Sequence, residues 1–152
     1  MLDVNSKAPD FSLKGSDGKM HTLNEFAGRY LVLYFYPRDN TSGCTMEAKG
    51  FTAQLSQIRK LGADVVGVSN DNFESHCDFV EKHGLKVLLL SDTGNDMIKK
   101  YDAYGNKGIF GWGTLRKTYI IDKEGKIIKI FPKVNPIGHE KEVISYLKEI
   151  KN

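Results

Sequence analysis

The sequence predicts an α/β fold, a central mixed β-sheet flanked by helices with an N-terminal β-hairpin extension. Three observations carry that reading. Short apolar strands alternate with amphipathic helical stretches through the first two-thirds of the chain. A hairpin with a glycine-containing turn follows, and one more amphipathic helix comes last. At 152 residues one domain is the expectation, since a chain of this size buries roughly 68–70% of its unfolded surface. It can build a core without disulfides or a structural metal.

Each element has its own signal. Gly15-Ser16-Asp17-Gly18 separates residues 10–13 from residues 20–23, which reads as a short hairpin. Residues 30–36 (YLVLYFY) are aliphatic and aromatic without polar alternation, as expected of a strand buried on both faces, and Pro37 ends it. After Gly43, Ala48, Phe51, Leu55 and Ile58 recur at three or four residues, so a helix runs to about Leu61 and Gly62 closes it. Residues 64–68 (DVVGV) form the next strand. Asp71 can cap a helix with Glu74 three residues on, ending at Gly84. A strand at 87–90 and a helix at 95–104 follow. Residues 115–121 and 126–131 flank Asp122-Lys123-Glu124-Gly125 as a hairpin. The terminal helix starts near His139, with Val143, Ile144, Leu147 and Ile150 on one face. That order of elements is the thioredoxin-like one, preceded by an extension.

Composition removes several functional classes. With 22 Lys+Arg against 19 Asp+Glu, the net charge of +3 is too small for a nucleic-acid face. The longest apolar run, residues 31–36, is far short of the ~20 needed to span a bilayer, so no membrane association is expected. The first ten residues hold no apolar segment of the signal-peptide kind, which points to a cytoplasmic protein. Two cysteines, Cys44 and Cys77, do not make a secreted disulfide scaffold. His76 and His83 are seven residues apart, and neither has a good ligand four residues away, so no metal site is predicted. The glycines of 108–113 (GIFGWG) have the wrong spacing for a dinucleotide fingerprint and read as a flexible apolar loop near Arg116. No cofactor is called for.

The chemistry gathers at Cys44. It follows a buried strand and lies at or just before the first turn of a helix, where unpaired N–H groups and the positive end of the macrodipole favour a thiolate. A single cysteine is ordinarily a small buried hydrophobe. Here Gly43 and Thr45 flank it, and Pro37, Asp39, Asn40 and Thr41 precede it on the loop. A dithiol oxidoreductase would carry its second cysteine three residues on, and that position is Glu47. A lone activated thiolate suits one-step attack on a small electrophile.

Pro37-x-x-x-Thr41-x-x-Cys44 resembles the peroxiredoxin active-site signature, and Glu47 extends it to the form of the Q-type, or bacterioferritin-comigratory, subgroup. The resemblance continues through Ala8-Pro9-Asp10-Phe11, Gly67-Val68-Ser69, Leu90-Ser91-Asp92 and the block from Arg116 to Lys126, nearly the whole chain. It implies a thioredoxin-fold peroxidase that reduces hydrogen peroxide and organic hydroperoxides. Cys44 would be the peroxidatic cysteine, oxidised to a sulfenic acid. Thr41 would bind and align the peroxide oxygens. Pro37 would shield the thiolate from water. Arg116 would stabilise the thiolate and the developing charge, a role suited to a permanently charged fork of donors.

Many members of the subgroup place a resolving cysteine five residues after the peroxidatic one, and Lys49 stands there instead. Cys77 matches a second arrangement, in which the resolving cysteine sits on the helix after the next strand. The resemblance then implies a Cys44–Cys77 disulfide, local unwinding to form it, and thioredoxin or a similar dithiol as reductant, in a monomeric protein. Cys77 also shares a helical stripe with Phe73 and Val80, so a core thiol remains an alternative, with an external thiol resolving Cys44. A peroxide-sensing thiol relay would need the same Cys44 chemistry. A glutathione-peroxidase-like enzyme fits the Pro37/Thr41/Cys44 spacing less well.

Overall fold

The computed structural model describes residues 2–151. Among the described residues, nine strands and four α-helices follow in the order β1 (Ser12–Gly15), β2 (Met20–Thr22), β3 (Tyr30–Phe35), α1 (Ser42–Lys60), β4 (Ala63–Ser69), α2 (Phe73–His83), β5 (Leu88–Ser91), α3 (Asp96–Lys100), β6 (Tyr104–Asn106), β7 (Trp112–Thr114), β8 (Lys117–Ile121), β9 (Ile127–Phe131) and α4 (His139–Lys151). Seven strands form one mixed sheet in the order β2-β1-β5-β4-β3-β8-β9, and β6 and β7 make a separate ribbon. The parallel core is β3-β4-β5, while β8 runs antiparallel to β3 and β1 antiparallel to β5.

β3 is central, and both its faces are covered. Val32, Tyr34 and Tyr36 point to a core shared with Phe51, Leu55 and Ile58 of α1, Phe79 of α2, and Val143 and Leu147 of α4. Leu31, Leu33 and Phe35 point the other way, to Met97, Ile98 and Tyr101 around α3 and to Ala8 and Phe11 of the N-terminal segment. That two-sided burial is why the strand carries no polar alternation. A parallel sheet also delivers the loops after β3, β4 and β5 to one edge, where helix α1 begins.

Four local expectations need correction. The helix expected at 95–104 stops at Lys100 because Asp102 takes a left-handed φ of 57°. There the Ala103 N–H donates to Ile98 O and the Asp102 N–H to Lys99 O, a Schellman stop made without glycine. Asp71 does not cap α2; Asn72 does, its Oδ1 accepting from the Ser75 N–H at 2.9 Å. Residues 108–113 are not a loop throughout, since Trp112 and Gly113 lie in β7 and pair with Asn106 and Gly105, while 108–111 connect the two strands of the ribbon. The final sheet hairpin begins at Lys117 rather than 115, which leaves Arg116 just ahead of β8.

Candidate active site

Thr41 is the N-cap residue of α1, with extended backbone angles (φ −80°, ψ 155°), and its carbonyl accepts the Thr45 N–H at 2.9 Å. Cys44 is therefore the third residue of a nineteen-residue helix, inside the first turn where backbone N–H groups lack helical partners. Its thiol is free and only 1% exposed. The preceding loop leaves β3 through Tyr36 and half-buried Pro37, and turns at Asn40 with φ 62°. Within the loop the Thr41 hydroxyl donates to Arg38 O at 3.0 Å.

Tertiary structure supplies the charge. Arg116, seventy-two residues away in sequence, donates from Nη2 to Cys44 Sγ at 3.3 Å and from Nη1 to Glu47 Oε1 at 2.8 Å. One guanidinium thus bridges two residues of the same helical face. Burial works against the charge of Arg116, but Cys44 and Glu47 outweigh it and push its pKa above the usual guanidinium range. Gly43 makes room for this arrangement: a Cβ there would stand 3.2 Å from Arg116 Nη2 and 3.3 Å from Pro136 Cγ.

Glu47 is fully buried, and its second oxygen, Oε2, has no hydrogen-bond partner. Burial pushes its carboxyl up to about 7 against the opposing pull of Arg116, with nearby Glu140 adding to the rise. Beside it the hydroxyl of Tyr34 is also buried and unpartnered, and burial holds that phenol well above its ordinary value. Lys107, at the β6–β7 ribbon, has its pKa lowered by burial, with Arg116 and Arg38 adding to the fall and Cys44 opposing it. Beyond Lys107 the ribbon tip exposes Ile109, Phe110 and Trp112.

Cys44, Glu47 and Arg116 thus meet directly, with Thr41 and Pro37 on the loop that enters the same helix turn. Cys77 does not join them. The line of burial on α2 runs through His76 and Phe79, and Cys77 is half-buried on its flank. Its Sγ lies 3.8 Å from Ser16 O, in the turn that follows β1. β1 and β8 are four strand spacings apart in the sheet, about 19 Å at ~4.8 Å each.

Sequence spacing gave no sign of a second polar cluster beside the same loop. Asp39, Asp71 and His76 converge so that ligand-type atoms lie within 4.8 Å of one another. Protons already bind them together: Asp39 Oδ1 accepts from Tyr36, Asp39 Oδ2 faces Ser75 and His76, and Asp71 Oδ2 accepts from Ser69 and the Asp39 N–H. The cluster is a hydrogen-bond network linking the loop to α2. A half-open groove of about 600 Å³ between Phe11, Leu23, Phe26 and Ile121 also reaches Arg29 and Leu31, at the start of β3, the opposite end of the strand from Cys44.

Known proteins match this arrangement along its length. The model of the AhpC/TSA family covers residues 4–130. Peroxiredoxin Bcp of Bacillus subtilis is 41% identical over 152 residues, spanning 98% of this chain and 97% of that protein. A cysteine-to-serine mutant of Xylella fastidiosa PrxQ superposes with a TM-score of 0.96 at 30% identity, covering 100% of this chain and 99% of that one. The bacterioferritin comigratory protein of Xanthomonas campestris, described for its alkyl peroxide reduction activity, superposes with a TM-score of 0.92 at 34% identity, covering 99% and 100%. With the fold expected from the element order and a buried thiol under an arginine, the chain belongs to the AhpC/TSA family, as a thioredoxin-fold peroxiredoxin of the Bcp/Q kind and a thiol-dependent peroxidase.

Proposed function

We propose that Cys44 is the peroxidatic residue of this peroxidase and that Arg116 is its electrostatic partner. The observation that carries the assignment is the 3.3 Å contact from the guanidinium to Sγ at the start of a long helix. The Cys44 thiolate attacks the terminal oxygen of a hydroperoxide; the O–O bond breaks, Cys44 becomes a sulfenic acid, and the departing alkoxide or hydroxide takes a proton to leave as alcohol or water. Arg116 offers fixed donors where that negative charge moves from sulfur to oxygen. Thr41 aligns the peroxide, Pro37 limits water at the sulfur, and Glu47 anchors the guanidinium from its other side.

Cys77 is the resolving residue in this reading. It attacks the sulfenic sulfur, a disulfide forms and water leaves; thioredoxin or a similar dithiol then reduces the bond. Since Cys77 turns to Ser16 and a disulfide needs Cα atoms about 4.4–6.8 Å apart, α2 or the first turn of α1 must move. That same placement favours one competing scheme, in which an external thiol resolves Cys44. The protein is proposed to act as a cytoplasmic monomer; among the described residues no helix is long and apolar enough to cross a membrane.

A coupled thioredoxin and peroxide assay on wild type, Cys44→Ser and Cys77→Ser tests both roles. Turnover should vanish in Cys44→Ser. Cys77→Ser should still react once with peroxide yet fail to turn over with thioredoxin. Full thioredoxin-driven turnover in Cys77→Ser would establish the one-cysteine scheme, and in Cys44→Ser would end the peroxidatic assignment.

A further inference from the structure

Helix α2, which carries Cys77, is fastened along two lines. On one side Cys77 Sγ lies against Ser16 O, and the Lys14 ammonium sits 4.2 Å from the centroid of the Phe73 ring. On the other side the helix meets Asp39, on the loop that leads to Cys44. Asp39 Oδ2 is 2.8 Å from the Ser75 hydroxyl and 2.7 Å from His76 Nδ1, while Oδ1 accepts the Tyr36 hydroxyl at 2.6 Å. His76 Nε2 stands 3.0 Å from Leu90 O. A carbonyl only accepts, so Nε2 must donate there, and the remaining proton is held between Nδ1 and Asp39. His76 is fully buried and Asp39 is 5% exposed, so these bonds have no water to replace them.

The rest of the helix is held by Phe79 against Tyr36, by Val80 against the core and by His83 Nε2, 3.3 Å from Asn40 Oδ1. The helix has eleven residues, and only His76 and Phe79 are buried. An isolated helix of that length is marginal in water, so α2 stays wound through tertiary contact. One of those two buried side chains is the imidazole bound to Asp39. Ser75 and His76 also precede Cys77 directly, and Asp39 is two residues from both Pro37 and Thr41.

We propose that Asp39, Ser75 and His76 form a latch that holds α2 wound and sets the rate at which Cys77 reaches the Cys44 sulfenic acid. They are positioning residues, and the idea rests on the resolving role given to Cys77 above. When the latch opens, Cys77 sulfur bonds to Cys44 sulfur, the S–O bond of the sulfenic acid breaks, and the thiol proton leaves with the hydroxyl as water. The hydroperoxide is the oxidant throughout. Because Asp39 and His76 are buried, removing a partner of either leaves a polar atom short of a hydrogen bond, and the network loosens as a unit.

The test compares reduced wild type with Ser75→Ala, which removes one hydroxyl, with His76→Gln, which removes the shared proton, and with Ile144→Val, a core change on α4. Each receives one equivalent of hydrogen peroxide; sulfenic acid and disulfide are followed by quenched intact-mass analysis, and amide exchange is measured on the reduced forms. Ser75→Ala should form disulfide several-fold faster, roughly the effect of one lost hydrogen bond. It should leave the rate of Cys44 oxidation unchanged and quicken exchange in α2 but not in α4. His76→Gln should move further in the same direction, with less sulfinic acid under excess peroxide. Faster α2 exchange with an unchanged disulfide rate overturns the latch, as does equal acceleration in Ile144→Val. Absence of any disulfide in wild type overturns the resolving role of Cys77 and the latch with it.

Discussion

Arg116 and Glu47 decide the electrostatics around Cys44, and each can be tested alone. Arg116→Met keeps much of the side-chain volume but removes the donors to Sγ and to Glu47 Oε1. Loss of a preorganised donor at developing charge commonly costs about 10²–10³ in rate, so kcat/KM for peroxide should fall by that order. Stopped-flow measurement of Cys44 oxidation checks it; a drop of less than about threefold would remove Arg116 from the mechanism. Glu47 behaves differently, because its carboxyl is raised from an ordinary 4.5 to about 7, chiefly by burial. Between those values the folded chain keeps a proton that the unfolded chain has lost. The contribution is complete below about 4.5 and is lost as pH rises through 7, about 3 kcal/mol in all. Glu47→Gln carries no such proton. Its stability relative to wild type should therefore increase between pH 5 and pH 8 in thermal melts, and a constant difference would contradict the raised carboxyl.

Among the elements, β4 packs against β3 with no space for a side chain at Gly67. A Cβ on Gly67 would stand 2.7 Å from Tyr34 Cζ and 2.8 Å from Leu89 Cδ2, in a core with no room to yield. Gly67→Ala should therefore cost roughly 1–3 kcal/mol by overpacking, measured as a shift in the denaturant midpoint. It also presses on the ring whose hydroxyl lies unpartnered near Glu47, so a loss of peroxidase rate should accompany the loss of stability. Helix ends show why element boundaries drifted from the sequence reading. Where glycine stops a helix, as Gly62 does with φ 88° after α1, the end was legible. Where Asp102 does the same work at the end of α3, it was not. The cap of α2 was misplaced by one residue because Asp71 and Asn72 are both good caps, and Asp71 is engaged by Asp39 and Ser69.

For the molecule as a whole, one sheet separates two apolar layers, and β3 contributes alternate residues to both. Loss of either layer would expose one face of the same central strand. We propose on that ground that the chain is one cooperative domain. Calorimetric and van't Hoff enthalpies should agree for the reduced protein, and a resolved second transition would contradict this. The sheet order also places the partners of the two thiols on opposite sides of the parallel core, Arg116 next to β8 and Ser16 next to β1. The proposed disulfide would therefore require α2 or the first turn of α1 to move.

Read alone, the sequence determined the alternation of strands and helices, the buried central strand, and the position of Cys44 at a helix start. These depend on periodicity and on turn residues, which are local properties. The Pro37, Thr41 and Cys44 spacing was legible for the same reason, since the loop and first helical turn are contiguous in the chain. Only the tertiary structure decided which charges face the sulfur. Arg116 was expected near Cys44 by resemblance, but its simultaneous grip on Glu47 and the meeting of Asp39 with His76 join residues 37 to 72 positions apart. Such contacts are set by strand order and by which helix face turns inward, and no spacing in the chain encodes them. Cys77 shows the same limit: its helix was foreseen, but its contact with Ser16 O follows from how α2 packs on the sheet.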